Sequence, residues 1–137
     1  MLLNEIKLGT KSDPEALKAF MADMRANTEA HPFARGMVIH NDSVGVEVSI
    51  FDGKIHLSSI MSFVQKNAGE ASKTLKFLTD LADKHQVIMD LAVSPIKNAG
   101  AREGKSLTKA QLTAWYGRYG FKKARGDYME RPPGAAA

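Results

Sequence analysis

Hydrophobic positions along the chain fall into a small number of well-separated patterns. Leu17, Phe20, Met21 and Met24 recur at i, i+3, i+4 and i+7 behind Ser12-Asp13-Pro14-Glu15. A capping box with proline in the first turn, followed by that spacing, predicts an amphipathic helix over roughly residues 13–28. Met37–His40 is a short apolar stretch read as a strand. Val44, Val46, Val48 and Ile50 then alternate strictly and end at Asp52-Gly53, the favoured dipeptide of a two-residue hairpin turn. If Phe51 pairs with Lys54, Ile50 faces Ile55, Ser49 faces His56, Val48 faces Leu57 and Glu47 faces Ser58. One face of the hairpin is then aliphatic and the other polar.

Strand character lapses after Ile60. A polar turn at 65–70 leads into a helix carrying Leu75, Leu78, Leu81 and Ala82, and the apolar run 87–93 suits a strand buried on both faces. Residues 54–93 therefore read as a βαβ unit with a right-handed crossover. A basic, glycine-bearing loop at 94–105 precedes a second capping-box pattern, Thr108-Lys109-Ala110-Gln111. Leu112, Trp115, Tyr116 and Tyr119 follow on one helix face, with Gly120 placed to end it. A last strand pair is expected at 120–123 and Tyr128–Arg131.

A length of 137 residues fits one domain, taken as 1–133, and the final Gly134-Ala135-Ala136-Ala137 reads as a disordered tail or cloning remnant. With 44% hydrophobic and 25% charged residues, the chain has an ordinary globular composition. Cysteine is absent, which excludes disulfides, thiolate metal ligands and a cysteine nucleophile. Neither a leader nor a bilayer-length apolar run is visible, so a cytoplasmic protein without membrane partners is expected, as a monomer or homodimer. The net charge of +4 is uneven: residues 95–125 hold eight basic side chains against Glu103 alone. That basic third suits a local anionic partner, or a solvated loop and helix face. Nucleic acid is not the expected partner, because the aromatics nearby are claimed by the helix core. His31, His40 and His85 stand far apart without metal-ligand spacing and read as surface or capping residues, so no metal is implied. No Gly-x-Ser-x-Gly elbow appears.

Two segments could carry chemistry. Lys66-Asn67-Ala68-Gly69-Glu70-Ala71-Ser72 lies between a strand and a helix, where unpaired helix amides can hold a pyrophosphate, although an ordinary βα turn would look the same. The polar hairpin face places Glu47 and His56 near one another, a carboxylate and an imidazole suited to proton transfer in a wet cleft.

The segment Lys66-x-x-Gly69-x-Ala71 after a strand, the Leu78-Thr79-Asp80-Leu81-Ala82-Asp83-Lys84-His85 run and Tyr116-Gly117-Arg118-Tyr119-Gly120-Phe121 together resemble the GNAT acetyltransferase family, and particularly its small phage-encoded members. The resemblance covers roughly residues 44–133. It implies an α/β (α+β) fold with a mixed, mostly antiparallel sheet flanked by helices and splayed where acetyl-CoA enters, between the strands at 54–61 and 87–93. Lys66 stands where the family has arginine or glutamine, keeping the cation but losing the planar fork. By the same resemblance, backbone groups at Met61, Ser62, Phe63 and Val64 hold pantetheine. The amides at Asn67, Ala68, Gly69, Ala71 and Ser72 hold pyrophosphate, and the Tyr116 phenol protonates the departing thiolate. The expected reaction is direct attack by an amine acceptor on the bound thioester, with Glu47 or His56 as base. The alternative is a weak or inactive protein of this fold that binds and modulates a host protein.

Overall fold

A computed structural model of the chain describes residues 11–62, 68–93 and 108–134. Expectations for Phe63, Val64, Lys66, Asn67, the 94–107 loop and the last three residues lie outside the described residues. In chain order the elements are α1 (Pro14–Ala26), β1 (Glu29–Ala30), β2 (Met37–His40), β3 (Val44–Phe51), β4 (Lys54–Ser62), α2 (Ala68–His85), β5 (Met89–Ala92), α3 (Lys109–Gly117), β6 (Lys122–Arg125) and β7 (Tyr128–Arg131). The strands form one sheet in the order β1-β2-β3-β4-β5-β7-β6. All neighbours are antiparallel except β4 and β5. This is the mixed, mostly antiparallel α/β architecture expected from the sequence.

The hairpin turn forms as its dipeptide demands, with Asp52 and Gly53 at φ 54° and 75°, the positive values of a type I′ turn. Ile50↔Ile55, Ser49↔His56 and Val48↔Leu57 pair as predicted, but Glu47 pairs with Ser59 and not Ser58. A bulge between Glu47 and Val48 leaves Ser58 as an extra residue on β4. Its effect is on the core: an unbroken register would turn Ile60 outward, whereas the observed Val46↔Ile60 pair keeps it packed against the buried cluster.

Helix α1 starts one residue later than the capping-box pattern implies. Asp13 is the N-cap, its carboxylate accepting from the Ala16 amide at 3.2 Å. Ser12 instead ties the β3–β4 turn to the segment just before β5: its amide donates to the Gly53 carbonyl at 2.7 Å and its Oγ accepts from the Ile88 amide at 2.8 Å. The second capping box forms as expected, with Thr108 and Gln111 bonded reciprocally.

One core holds the described elements together. Val44, Val46, Val48, Ile55, Leu57, Met89, Leu91 and Met129 project from one sheet face into a cluster with Leu17, Phe20, Met21 and Met24 of α1, Leu75, Leu78 and Leu81 of α2, and Tyr116 of α3. At its margin Arg131 is 0% exposed, donating to Asp83 of α2 at 2.8 and 3.0 Å and to the Tyr119 carbonyl at 2.6 Å.

Two expectations need correction. The 87–93 run is not buried on both faces: Met89 and Leu91 are buried, but Asp90 and Ala92 point the other way and are not. Nor is His40 a surface residue. It is buried, stacks on Phe77 with ring centroids 4.4 Å apart, and bonds Thr74 Oγ through Nδ1 at 2.7 Å. His31 caps the turn that follows it, Nδ1 accepting from the amides of Phe33 and Ala34, whereas His85 is partly buried and contacts Asp23 of α1 at 2.9 Å.

Candidate functional site

Among the described residues the helices share one face of the sheet and none covers the opposite one. There the register aligns Ser49, His56, Asp90, Glu130 and Lys122 in one row across five strands. Directly opposed strand residues have Cβ atoms about 4.5–5.5 Å apart, so neighbours in such a row interact. His56 Nδ1 lies 2.8 Å from Asp90 Oδ1, with the two side chains 24% and 16% exposed. Lys54 and Glu130 form a second pair at 2.8 Å, 16% and 28% exposed. The hydrogen bond to Glu130 raises the Lys54 pKa above its ordinary value, against the opposing effect of burial.

These pairs floor a cavity of about 740 Å³ that extends to Phe51 and to Arg125 and Tyr128 of the β6–β7 hairpin. Phe51 meets the His56 ring edge-on at 6.3 Å. A dyad of imidazole and carboxylate at this distance fixes ring orientation and, with the Nδ1 proton donated to Asp90, leaves Nε2 able to accept a proton. Asp90 was missed by sequence reasoning. Its signal was present, an aspartate inside the apolar run Val87-Ile88-Met89-Asp90-Leu91-Ala92-Val93 at the parity opposite to Met89 and Leu91.

The three residues proposed for proton transfer are not gathered into this cavity. His56 lines it. Glu47 is exposed further along β3, paired with Met37 and Ser59. Tyr116 is buried in the core between Trp115 and Phe121, their rings 5.0 and 5.7 Å from its own. Burial pushes its phenol up to about 12.

For the cofactor residues, the strand geometry matters most. Parallel pairing of β4 with β5 runs from Ile55↔Met89 to Leu57↔Leu91, while β4 continues to Ser62. Among the described residues, Met61 and Ser62 are paired only with β3. Helix α2 begins at Ala68, earlier than the sequence pattern suggested, so Gly69 lies in its first turn and Ala71 just beyond. Ser72 sits in the second turn, where amides belong to the helical ladder. Its hydroxyl accepts from the Trp115 indole at 2.8 Å, joining α2 to α3. Glu70 is tied back, accepting from Ser43 Oγ at 3.2 Å and pairing with Lys73 at 3.7 Å. A second hollow of about 660 Å³ lies past the carboxyl end of β5, between Val93, α3 and the β6–β7 turn.

Fold and site thus define a small mixed α/β domain with one parallel strand pair, β4 and β5, and a polar cavity on the sheet face opposite the helices. Comparison with known proteins adds to the fold alone. No family profile and no curated protein matches the chain. Among solved structures, the anti-CRISPR protein AcrVA5 is similar, with a TM-score of 0.52 and 16% identity over 67% of this chain and 93% of that one.

Proposed function

We propose that the protein is a GNAT-type N-acetyltransferase that moves an acetyl group from acetyl-CoA to an amine by direct attack. The observation that carries this reading is that β4 runs on to Ser62, beyond its last described pair with β5 at Leu57↔Leu91, and is followed along the chain by the N-terminus of α2 at Ala68. Ligands of α/β sheets bind beyond the carboxyl ends of parallel strands, and helix N-termini favour phosphate. The residues present fit acetyl-CoA: the edge of β4 at Met61 and Ser62 would pair with pantetheine, and the start of α2 would face the pyrophosphate. Glu70 is engaged by Ser43 and Lys73, which lessens its repulsion of phosphate.

Acetyl-CoA supplies an electrophilic thioester. This chain supplies proton handling at two atoms. His56 Nε2, oriented through Asp90, takes the proton that the amine loses as its nitrogen bonds to the carbonyl carbon. The candidate acid is the Tyr116 phenol, kept protonated by burial, which raises its pKa to about 12; it lies in the helix-side core and not in the His56 cavity, so it would donate to the sulfur from the other side of the sheet as the carbon–sulfur bond breaks.

A second reading is favoured by one observation, the fold likeness to a protein named as an anti-CRISPR. In that reading the domain binds and modulates a host protein without turnover. Thermal unfolding with acetyl-CoA tests the first. At a hundredfold excess over its dissociation constant, ligand should stabilise the fold by about 2.7 kcal/mol. Absence of any shift at millimolar acetyl-CoA overturns the proposal. Binding without acetylation of any amine, host extract included, moves the conclusion to the second reading.

A further inference from the structure

The cavity on the sheet face opposite the helices has a charge distribution that specifies more than an amine. Lys54 spends its charge on Glu130 at 2.8 Å. Asp90 contacts the His56 imidazole at 2.8 Å and also lies within the field of Lys54, so the floor sets two carboxylates, Asp90 and Glu130, against a single ammonium. At the rim the sign reverses. Arg125 lines the same cavity and is exposed, with no ion-pair partner among the described residues. Its register partner Tyr128 is 49% exposed and Phe51 is 66% exposed, and both also line the cavity. Exposed aromatic rings beside carboxylates favour an ammonium group and cover an aliphatic stem. At about 740 Å³ the space suits a small molecule, within the usual range for ligand sites.

We infer that this cavity binds an amino-acid-like molecule, its primary amine at the His56–Asp90 floor, its aliphatic stem against Phe51 and Tyr128, and its carboxylate at Arg125. As the acceptor site for acetyl transfer it rests on the reading above, but its ligand binding is separable from that reading. Asp90 receives the ammonium form, and His56 takes its proton once the amine is seated. Arg125 is a specificity residue that selects amines bearing an anionic end.

The test is isothermal titration of the full chain, without acetyl-CoA, at about pH 8, where the amine and carboxylate ends of the probes are both charged. Probes are the ω-amino acids from glycine to aminohexanoate, each beside the alkylamine and the alkanoate of matching length. At least one amino acid should bind about tenfold tighter than either matched probe, since each end contributes a charge-assisted contact. Arg125→Ala should remove the advantage over the amine, and Asp90→Asn the advantage over the acid. Because Arg125 is exposed on an edge strand, its variant keeps the test valid even if Asp90→Asn fails to fold. Equal binding of the plain amine, tighter binding of the plain acid, no binding of any probe, or an Arg125→Ala protein of unchanged affinity overturns the inference. Probes that bind while acetyl-CoA does not would leave the cavity assigned and the acetyl-transfer reading refuted; the reverse pattern would refute the cavity alone.

Discussion

Removing the carboxylate of Asp83 should be among the most damaging single changes outside the apolar core. Arg131 is 0% exposed and commits three donors, two to Asp83 and one to the Tyr119 carbonyl. Asp83→Ala would leave a buried guanidinium with one neutral acceptor, and would also strip the Gly134 amide of a 2.6 Å bond. Breaking a buried pair by deleting one partner costs about 3–5 kcal/mol. Asp83 is 29% exposed on its side chain, so water reaches part of the vacated space and the lower end, about 3 kcal/mol, is expected. Against a total of about 7–20 kcal/mol for a domain of this length, that is a large share. Urea unfolding followed by circular dichroism would measure it. The pH dependence supplies an independent check. Hydrogen bonds from Arg131, and then from the Gly134 amide, hold the Asp83 carboxyl below its ordinary 3.8. The stability it contributes is fully present above that value and lost as pH falls through the lower folded one, a slope the variant should lack. A loss under about 1 kcal/mol, the worth of a surface ion pair, would refute the reasoning.

Three further outcomes follow from particular groups. Gly53→Ala places a Cβ at φ +75° and 2.7 Å from the Lys11 side chain, and should cost about 1–2 kcal/mol in urea unfolding; an unchanged midpoint would mean that the turn is not type I′. Burial lowers the His40 pKa from 6.5, so its contribution is complete above that value and declines as pH falls through the folded one, and His40→Gln should flatten that part of a thermal profile; a flat wild-type profile would contradict this. The Tyr116 phenol, raised by burial from 10.0 to about 12, stabilises the fold below 10.0 and ceases to as pH rises through the folded value, so Tyr116→Phe should resist alkaline unfolding, while turnover falls about 10²- to 10⁴-fold if the phenol is the acid. Unchanged turnover would leave Tyr116 a packing residue.

Much of the fold was legible because short-range patterns dictated it. The alternating valines of β3, the Asp52-Gly53 turn and the Thr108–Gln111 capping box each name their own geometry. Less legible was whatever depends on partners distant in sequence. Ser12 looked like a cap because its hydroxyl precedes a helix, yet its contact is the Ile88 amide, 76 residues away. The bulge beside Glu47 arises because β3 has 8 residues and β4 has 9, and strand lengths are not readable to one residue. His56 was recognised from its hairpin face. Its partner was not, because Asp90 interrupts an apolar run that otherwise reads as doubly buried, and only the parallel pairing His56↔Asp90 brings the two together.

That polar row is not accounted for by stability. Four titratable side chains, His56, Asp90, Lys54 and Glu130, stand 16–28% exposed, far enough from water to lose hydration yet too wet for strong mutual attraction. Pairs in that position contribute little net stability, and their desolvation offsets much of what their contact gains. A face needed only for solubility would carry extended, solvated side chains. The aromatics beside the row are inefficient for stability too, since Phe51 at 66% and Tyr128 at 49% exposure leave much of their area in water when the same rings could have been buried. Held charges flanked by underused aromatic surface are the arrangement of a binding site, where the missing contacts are made by the ligand. On the opposite face the core packs around Tyr116 and Arg131, and there, the proposed acid Tyr116 apart, stability is sufficient to explain the residues found.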